Sequence, residues 1–357
     1  MIRKREIPWA VGGIPFIRMA VIGILPNPLK ILYYKRKGAI IGPKVRLGLG
    51  SYINSPRIIL EEGVRIAPFT FIRARQRCVI GKRSQIKSFT AIETGILDIQ
   101  EDVTISEQVV IGGIQTSRSE LTIGSRSRIL PFCVLNPTES LRIGKDVCIG
   151  GGTYVFTHGT WQNMLEGFPG KFAPVKIDDG AWIAWRCFVM PGVHVGSHAT
   201  IGGSSVVTHD VPARSLAVGA PAKVIKHDAQ YIRSLTQAEK DSMIKDWLKE
   251  CAAYFNYMGY KAAFIEQKNE QLQLGIEDLN GNYTTLFYVH GKLPEALNAS
   301  SGIISLESLD TQNRQLINEV GAFWFDLESK ECSFSKQPMA EQFKDFIARY
   351  GVRFAMN

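Results

Sequence analysis

The 357-residue sequence has no apolar run long enough to cross a bilayer. The longest, Ile14 to Leu25, is interrupted by Pro15 and Arg18 and followed by Pro26 and Pro28, short of the ~20 apolar residues a spanning helix needs. No small-residue cleavage pattern follows it, which argues against a secretory leader. Cys78, Cys133, Cys148, Cys187, Cys251 and Cys332 show no CxxC pair and no short regular spacing. They suggest neither a zinc module nor a disulfide framework, and a reducing, cytoplasmic location is expected.

An even spread of positive charge is also missing. The formal net charge is +9, yet residues 1–46 hold ten basic side chains and one acid, Glu6, so the remaining 311 residues are neutral. A basic body of the kind that binds nucleic acid is thereby excluded. The basic segment flanks an apolar stretch, PWAVGGIPFIRMAVIGILPNPLKILYYKRK. Two readings of this arm, residues 1–37, stand side by side: a peripheral contact with an anionic inner membrane leaflet, or a cap over the open end of the fold that follows.

What the sequence has in abundance is a period of six. Aliphatic anchors recur in triplets: Ile41, Leu47, Ile53; Leu60, Ile66, Ile72; Ile80, Ile86, Ile92; Ile99, Ile105, Ile111; Ile123, Ile129, Leu135; Ile143, Ile149, Val155; Ile177, Ile183, Val189; and Val195, Ile201, Val207. Many are followed by glycine, and four positions after an anchor lies mostly a small or β-branched residue, such as Val45, Ser51, Thr70, Ser84, Ser127 or Cys187. Neither a helix at 3.6 nor a flat strand at 2 sustains a period of six. A short strand and a corner every six residues do, and three such units close one triangular coil. Triplets begin about 18 to 20 residues apart, except for surpluses that must bulge out as corner insertions. The surplus of 16 before Ile177 is one real loop.

This pattern of aliphatic residue, glycine and four variable positions resembles the left-handed parallel β-helix of the hexapeptide-repeat acyltransferases, an exception to right-handed crossovers. The resemblance covers residues 38–226. The run AWIAWRCFVMPGVHVGSHATIGGSSVVTHDVPARSLAVGAPAKVI, from Ala181, is similar to the signature of the maltose, galactoside and exopolysaccharide O-acetyltransferase branch. That likeness implies acetyl-CoA as co-substrate, held in a groove between two subunits of a homotrimer. It implies that Gly202, Gly203 and Ser205 lie where backbone approaches the pantetheine, that Thr208 contacts the cofactor, and that Lys223 reaches its phosphates. Trp182 matches the tryptophan that flanks the groove. Gly202 and Gly203 also read as ordinary corner glycines. His209 stands where the branch has lysine, and Ala184-Trp185 replaces a small pair.

His158 is the candidate general base. It falls three residues after Val155 and opens the long insertion, so it should project from a corner, and the family's base is a histidine at the start of such a loop. An alcohol is a weak nucleophile at neutral pH, and imidazole titrates near it. The competing reading is an exposed loop histidine. Trp161, Phe168 and Phe172 form an apolar wall or sugar platform, or else pack back on the solenoid, and Asn136 is placed to orient substrate. His158, His194 and His198 have a spacing superficially like the zinc ligands of γ-class carbonic anhydrases, but their corner phase argues against a metal site. Cys133 and Cys187 occupy small corner positions and are expected to pack.

Residues 227–357 lose the period and read as an α+β domain of unassigned role. Thr236 to Glu239 is a capping box before a helix over 236–258. Strand-like runs follow at 262–266, at 271–277 and in NYTTLFYV, the last two joined as a hairpin around Asn280-Gly281. GIISLE and AFWFDLE read as further strands, and Pro338 to Tyr350 as a helix. The expected function is O-acetyl transfer to a sugar hydroxyl of a lipid- or nucleotide-linked carbohydrate in surface polysaccharide synthesis. The alternatives are N-acylation of an amino sugar and a non-catalytic hexapeptide scaffold.

Overall fold

The computed structural model describes residues 16–266, 272–290, 292–295, 297–333, 335 and 337–356. The chain divides into two compact units between Arg233 and Ser234. The first unit is the left-handed parallel β-helix expected from the sequence.

Every anchor residue is at most 7% exposed. The anchors stack coil on coil in three parallel ladders. On the first face Ile41 pairs with Leu60, Leu60 with Ile80 and, further along, Ile177 with Val195. The second runs from Leu47 and Ile66 to Ile183 and Ile201, and the third from Ile53 and Ile72 to Val189 and Val207. Aliphatic side chains stacked this way fill a narrow core, and each strand of two or three residues is stable only because its neighbours above and below complete its hydrogen bonds.

The residues four positions after the first- and second-face anchors are buried, and several clip one coil to the next. Ser127 Oγ donates to Gly144 O at 2.7 Å and accepts from Val147 N at 3.0 Å. Ser84 does the same between Gln100 O and Val103 N. Cys133 Sγ lies 3.2 Å from Gly150 O and Cys187 Sγ 3.2 Å from Gly202 O. Burial raises the Cys133 thiol to about 11, so it stays protonated.

The turn itself is made one residue earlier, by a left-handed conformation three positions after the anchor. After the first face these residues are Lys44, Gly63, Arg83, Asp102, Arg126, Asp146, Gly180 and His198; after the second, Gly50, Phe69, Phe89, Gln108, Phe132, Gly152, Arg186 and Ser204. All have positive φ, although most carry side chains that rarely adopt it. The third corner differs. There only Gly192 is left-handed at this phase, and every surplus residue of the repeat falls between a third-face anchor and the next coil, as between Val155 and Ile177.

Residues 1–15 of the expected arm lie outside the described residues. The rest of it forms two helices, α1 (Phe16–Gly23) and α2 (Asn27–Arg36), which the sequence reading left unassigned. They pack on the first coil: Lys30 is fully buried, its Nζ donating to Gly23 O at 3.0 Å and Gly48 O at 2.6 Å. Leu47 N donates to Asn27 Oδ1, and Ile53 N to the Tyr34 hydroxyl, both at 2.8 Å. Two donors of the open coil edge are thus satisfied. At the far end, Ser215–Gly219 extends the second face and Ala222–His227 pairs with it antiparallel.

The second unit opens with the long helix α3 (Gln237–Tyr257), started by the Thr236/Glu239 capping box. A seven-stranded sheet follows in sequence order, from Lys261–Glu266 to Ala355–Met356. The hairpin around Gly281 joins Leu272–Glu277 to Tyr283–Val289 as expected; residue 271, placed in that strand by the sequence, lies outside the described residues. Ile244, Leu248 and Phe255 of α3 share one core with Phe343 and Phe346 of a later helix. A helix at Thr311–Glu319, α4, was not anticipated, although Asp310 caps it by accepting from Asn313 N at 2.7 Å. The last helix, α5 (Pro338–Ile347), ends one turn before Tyr350 in a 3-10 turn.

Candidate active site

Asn136, Thr138 and His158 meet at the third corner. Thr138 and His158 both stand three residues after a third-face anchor, Leu135 and Val155, which pair in register. One coil therefore sets Thr138 directly beneath His158. His158 Nδ1 lies 3.2 Å from Asn136 Oδ1 and 3.2 Å from Thr138 Oγ1. The Thr138 hydroxyl donates to Asn136 Oδ1 at 2.7 Å and accepts from Ile114 N at 3.1 Å. With its only proton committed to Asn136, Thr138 can only accept from the imidazole, as can Asn136 Oδ1. The network therefore assigns the proton to Nδ1 and leaves the Nε2 lone pair unused by these groups.

The surroundings hold this arrangement from both sides. Thr157 Oγ1 donates to Asn136 O at 2.7 Å and accepts from Glu139 N at 2.9 Å, and Arg118 grips the buried Glu139 carboxylate with two bonds of 2.6 Å. A Cβ on Gly113 would overlap Asn136 Oδ1 and Thr138 Oγ1, so glycine is required there. The insertion starts as an antiparallel pair, His158–Gly159 with Lys171–Phe172, which stacks the Phe172 ring on the imidazole at 5.6 Å and 28°. Burial lowers the pKa of His158 from its ordinary value near 6.5, favouring the neutral, proton-accepting form. A neutral imidazole with one nitrogen anchored and the other open is equipped to take a proton from a hydroxyl.

The other residues singled out from sequence are distributed along neighbouring coils. Asn136, expected to orient substrate, faces the imidazole. Trp161 is 96% exposed and Phe168 is exposed as well, so neither packs back on the solenoid. Trp182 sits half-exposed on the second face, beside Cys148 and Thr200 in the ladder. A Cβ on Gly202 would overlap Val218, so packing alone requires that glycine, whereas Gly203 is exposed and has ordinary room for a side chain. Ser205 is buried, its Oγ accepting from Gly219 N at 3.0 Å. Thr208 Oγ1 lies 2.9 Å from His209 Nδ1. Lys223 is exposed on the terminal hairpin. Trp185, the departure from the branch pattern, lays its ring against Gly151, where a Cβ would overlap it. His194 Nε2 engages Asp178 at 2.7 Å, and among the described residues no three His, Cys, Asp or Glu side chains form a metal-binding group.

Thr138, Gly113 and Phe172 as a ring partner of His158 escaped the sequence reading as site components. Thr138 carried a usable signal, the shared offset of three from successive anchors. Gly113 and the ring contact carried none without coordinates.

No family model matches the chain. A Staphylococcus aureus protein assigned by inference as an acetyltransferase is 42% identical over 76 residues, a stretch covering 21% of this chain and 38% of that protein. The chain thus matches well under half of that relative's length. Among solved structures, the polySia-specific acetyltransferase NeuO aligns with a TM-score of 0.38 and 21% identity over 62% of this chain and 93% of that one. A galactoside acetyltransferase in complex with coenzyme A aligns with a TM-score of 0.34 and 22% identity over 37% and 65%. The chain is thus similar to acetyltransferases over a short segment, and its solenoid is a left-handed parallel β-helix of six-residue repeats.

Proposed function

We propose that the protein is an acetyl-CoA-dependent O-acetyltransferase acting on a sugar hydroxyl, with His158 as general base. The observation that carries this reading is the anchored imidazole, with Nδ1 held by Asn136 and Thr138 and Nε2 open at the mouth of an insertion. Nε2 takes the acceptor's hydroxyl proton as its oxygen attacks the thioester carbonyl. The tetrahedral intermediate collapses with cleavage of the C–S bond, and the imidazolium returns the proton to the departing CoA thiolate. No acyl-enzyme forms. Exposed Trp161 and Phe168, with Phe172 against the imidazole, offer apolar rings on which a sugar face can stack. A carbohydrate carried on a lipid or nucleotide and destined for a surface polysaccharide fits the branch the sequence resembles.

On the same reading acetyl-CoA lies between subunits of a homotrimer, beside Trp182, Gly202, Gly203, Ser205 and Thr208, with Lys223 at its phosphates. Gly203 supports this, because the fold does not demand glycine there and a close ligand would. The third face supplies the subunit contact. Its outward positions Val110, Val134, Tyr154, Phe188 and Val206 align in register, whereas the corresponding first-face positions Asp98, Thr122, Arg142 and Lys176 are polar. An apolar ladder of this kind favours self-association. A thioester-cleavage assay against sugar and amino-sugar acceptors tests the activity. Acceptor-dependent CoA release with a hydroxyl sugar supports it, while release with amino sugars alone, or none with any acceptor, contradicts it.

A further inference from the structure

The two N-terminal helices turn some apolar side chains, Ile22 and Tyr34 among them, onto the first coil and leave others exposed. In α2 one lysine is buried and both leucines face water: Lys30 is 0% exposed, while Leu29 and Leu32 keep 51% and 44% of their surface. In and just after α1, Ile17, Val21 and Ile24 are 83%, 54% and 70% exposed. Steps of four and three place them on one stripe, whereas Ile22 and Gly23 turn inward. The coil-capping role does not use these five aliphatics, since Lys30, Asn27 and Tyr34 make the capping bonds. Five exposed aliphatics on two consecutive short helices mark a surface that meets something apolar.

The charge around these side chains selects the occupant. Arg18, Lys35, Arg36 and Lys37 are exposed beside them, and no acidic residue occurs from Phe16 to Arg46. A second copy would bring the same cations into contact and be repelled. No described helix is long and apolar enough to cross a membrane. Short helices with an aliphatic face, cationic flanks and a rigid mount suit the headgroup boundary of an anionic bilayer.

We propose that α1 and α2 form a docking surface for an anionic lipid bilayer, with Ile17, Val21, Ile24, Leu29 and Leu32 entering the headgroup boundary and Arg18, Lys35, Arg36 and Lys37 meeting lipid phosphates. The cap and the membrane contact are then opposite faces of the same helices. Lys30, tied to the first coil, holds the lipid-facing side outward. This surface is independent of the transfer chemistry, and its variants leave turnover of a soluble acceptor unchanged.

Flotation of the full chain with phosphatidylglycerol-containing and with pure phosphatidylcholine vesicles is the test. The wild-type chain should float with the anionic vesicles, less so at high salt, and not with the neutral ones. The doubly substituted Ile17→Asp/Ile24→Asp chain and the Lys35→Glu/Arg36→Glu chain should each lose about tenfold in apparent affinity, with an unchanged melting temperature. A wild-type chain that ignores anionic vesicles overturns the proposal. So does an Ile17→Asp/Ile24→Asp chain that floats like wild type, or one whose only change is a smaller sedimenting mass, which would give the surface to a second copy.

Discussion

The first two corners of each coil and the third are built from the same repeat and differ in one respect. At the first two, a left-handed residue three positions past the anchor turns the chain, whether that residue is Gly152, Arg126 or Phe132. At the third, the chain leaves the period, and Thr138 and His158 occupy the corresponding positions without that conformation. The regular corners cost local backbone strain and are maintained by ladder hydrogen bonds on both sides. The irregular corner frees side chains from the turn, and the proposed base is one of them. Repetition builds the prism, and the proposed site sits where repetition stops.

The comparison breaks most visibly at Gly113. Gly113→Val should force Asn136 and Thr138 aside and reduce kcat by about 100-fold, within the range general-base catalysis contributes, while circular dichroism and melting stay near wild type. Retained turnover would separate the network from catalysis. A smaller effect is expected from Asn136→Ala, which removes one acceptor of the Nδ1 proton. About fivefold loss in kcat/KM matches one hydrogen bond of roughly 1 kcal/mol, and substitution to Asp should recover more activity than substitution to Leu.

The same corner sets the pH dependence. Burial lowers the pKa of His158, so the neutral base persists below pH 6.5, and the acid limb of kcat/KM should fall at a lower pH than an ordinary imidazole gives. A limb at or above the ordinary value would contradict the burial of the ring. At the regular corners only stability should respond. Ser127→Ala leaves Val147 N and Gly144 O without their clip and should cost about 1–3 kcal/mol in denaturant unfolding. Gln108→Gly, at an exposed position with φ 57°, should stabilise by up to about 1 kcal/mol, and turnover should change with neither.

The scaffold was legible because stacking requires an aliphatic residue at every sixth position, and Ile66, Ile129 or Val189 cannot be replaced by polar residues without opening the core. The left-handed corners were not, since Lys44, Arg83 and Phe89 carry side chains that rarely adopt positive φ. His158 was singled out from its position at the start of the insertion. Its tautomer was not, because it depends on where Thr138 sends its proton. Pro15, Pro26 and Pro28 obscured α1 and α2 as helices, although proline is well tolerated in a helix's first turn, as in α2. α3 was plain from Thr236 and Glu239, whereas α4 had only Asp310 to announce it.

The central claim is that the third corner carries the base. It is tested most directly by acetyl transfer in His158→Ala alongside calorimetric titration with acetyl-CoA. Loss of transfer by about 100-fold or more, with acetyl-CoA affinity close to wild type, is the expected result. Turnover near wild type would contradict it and remove His158 as the base.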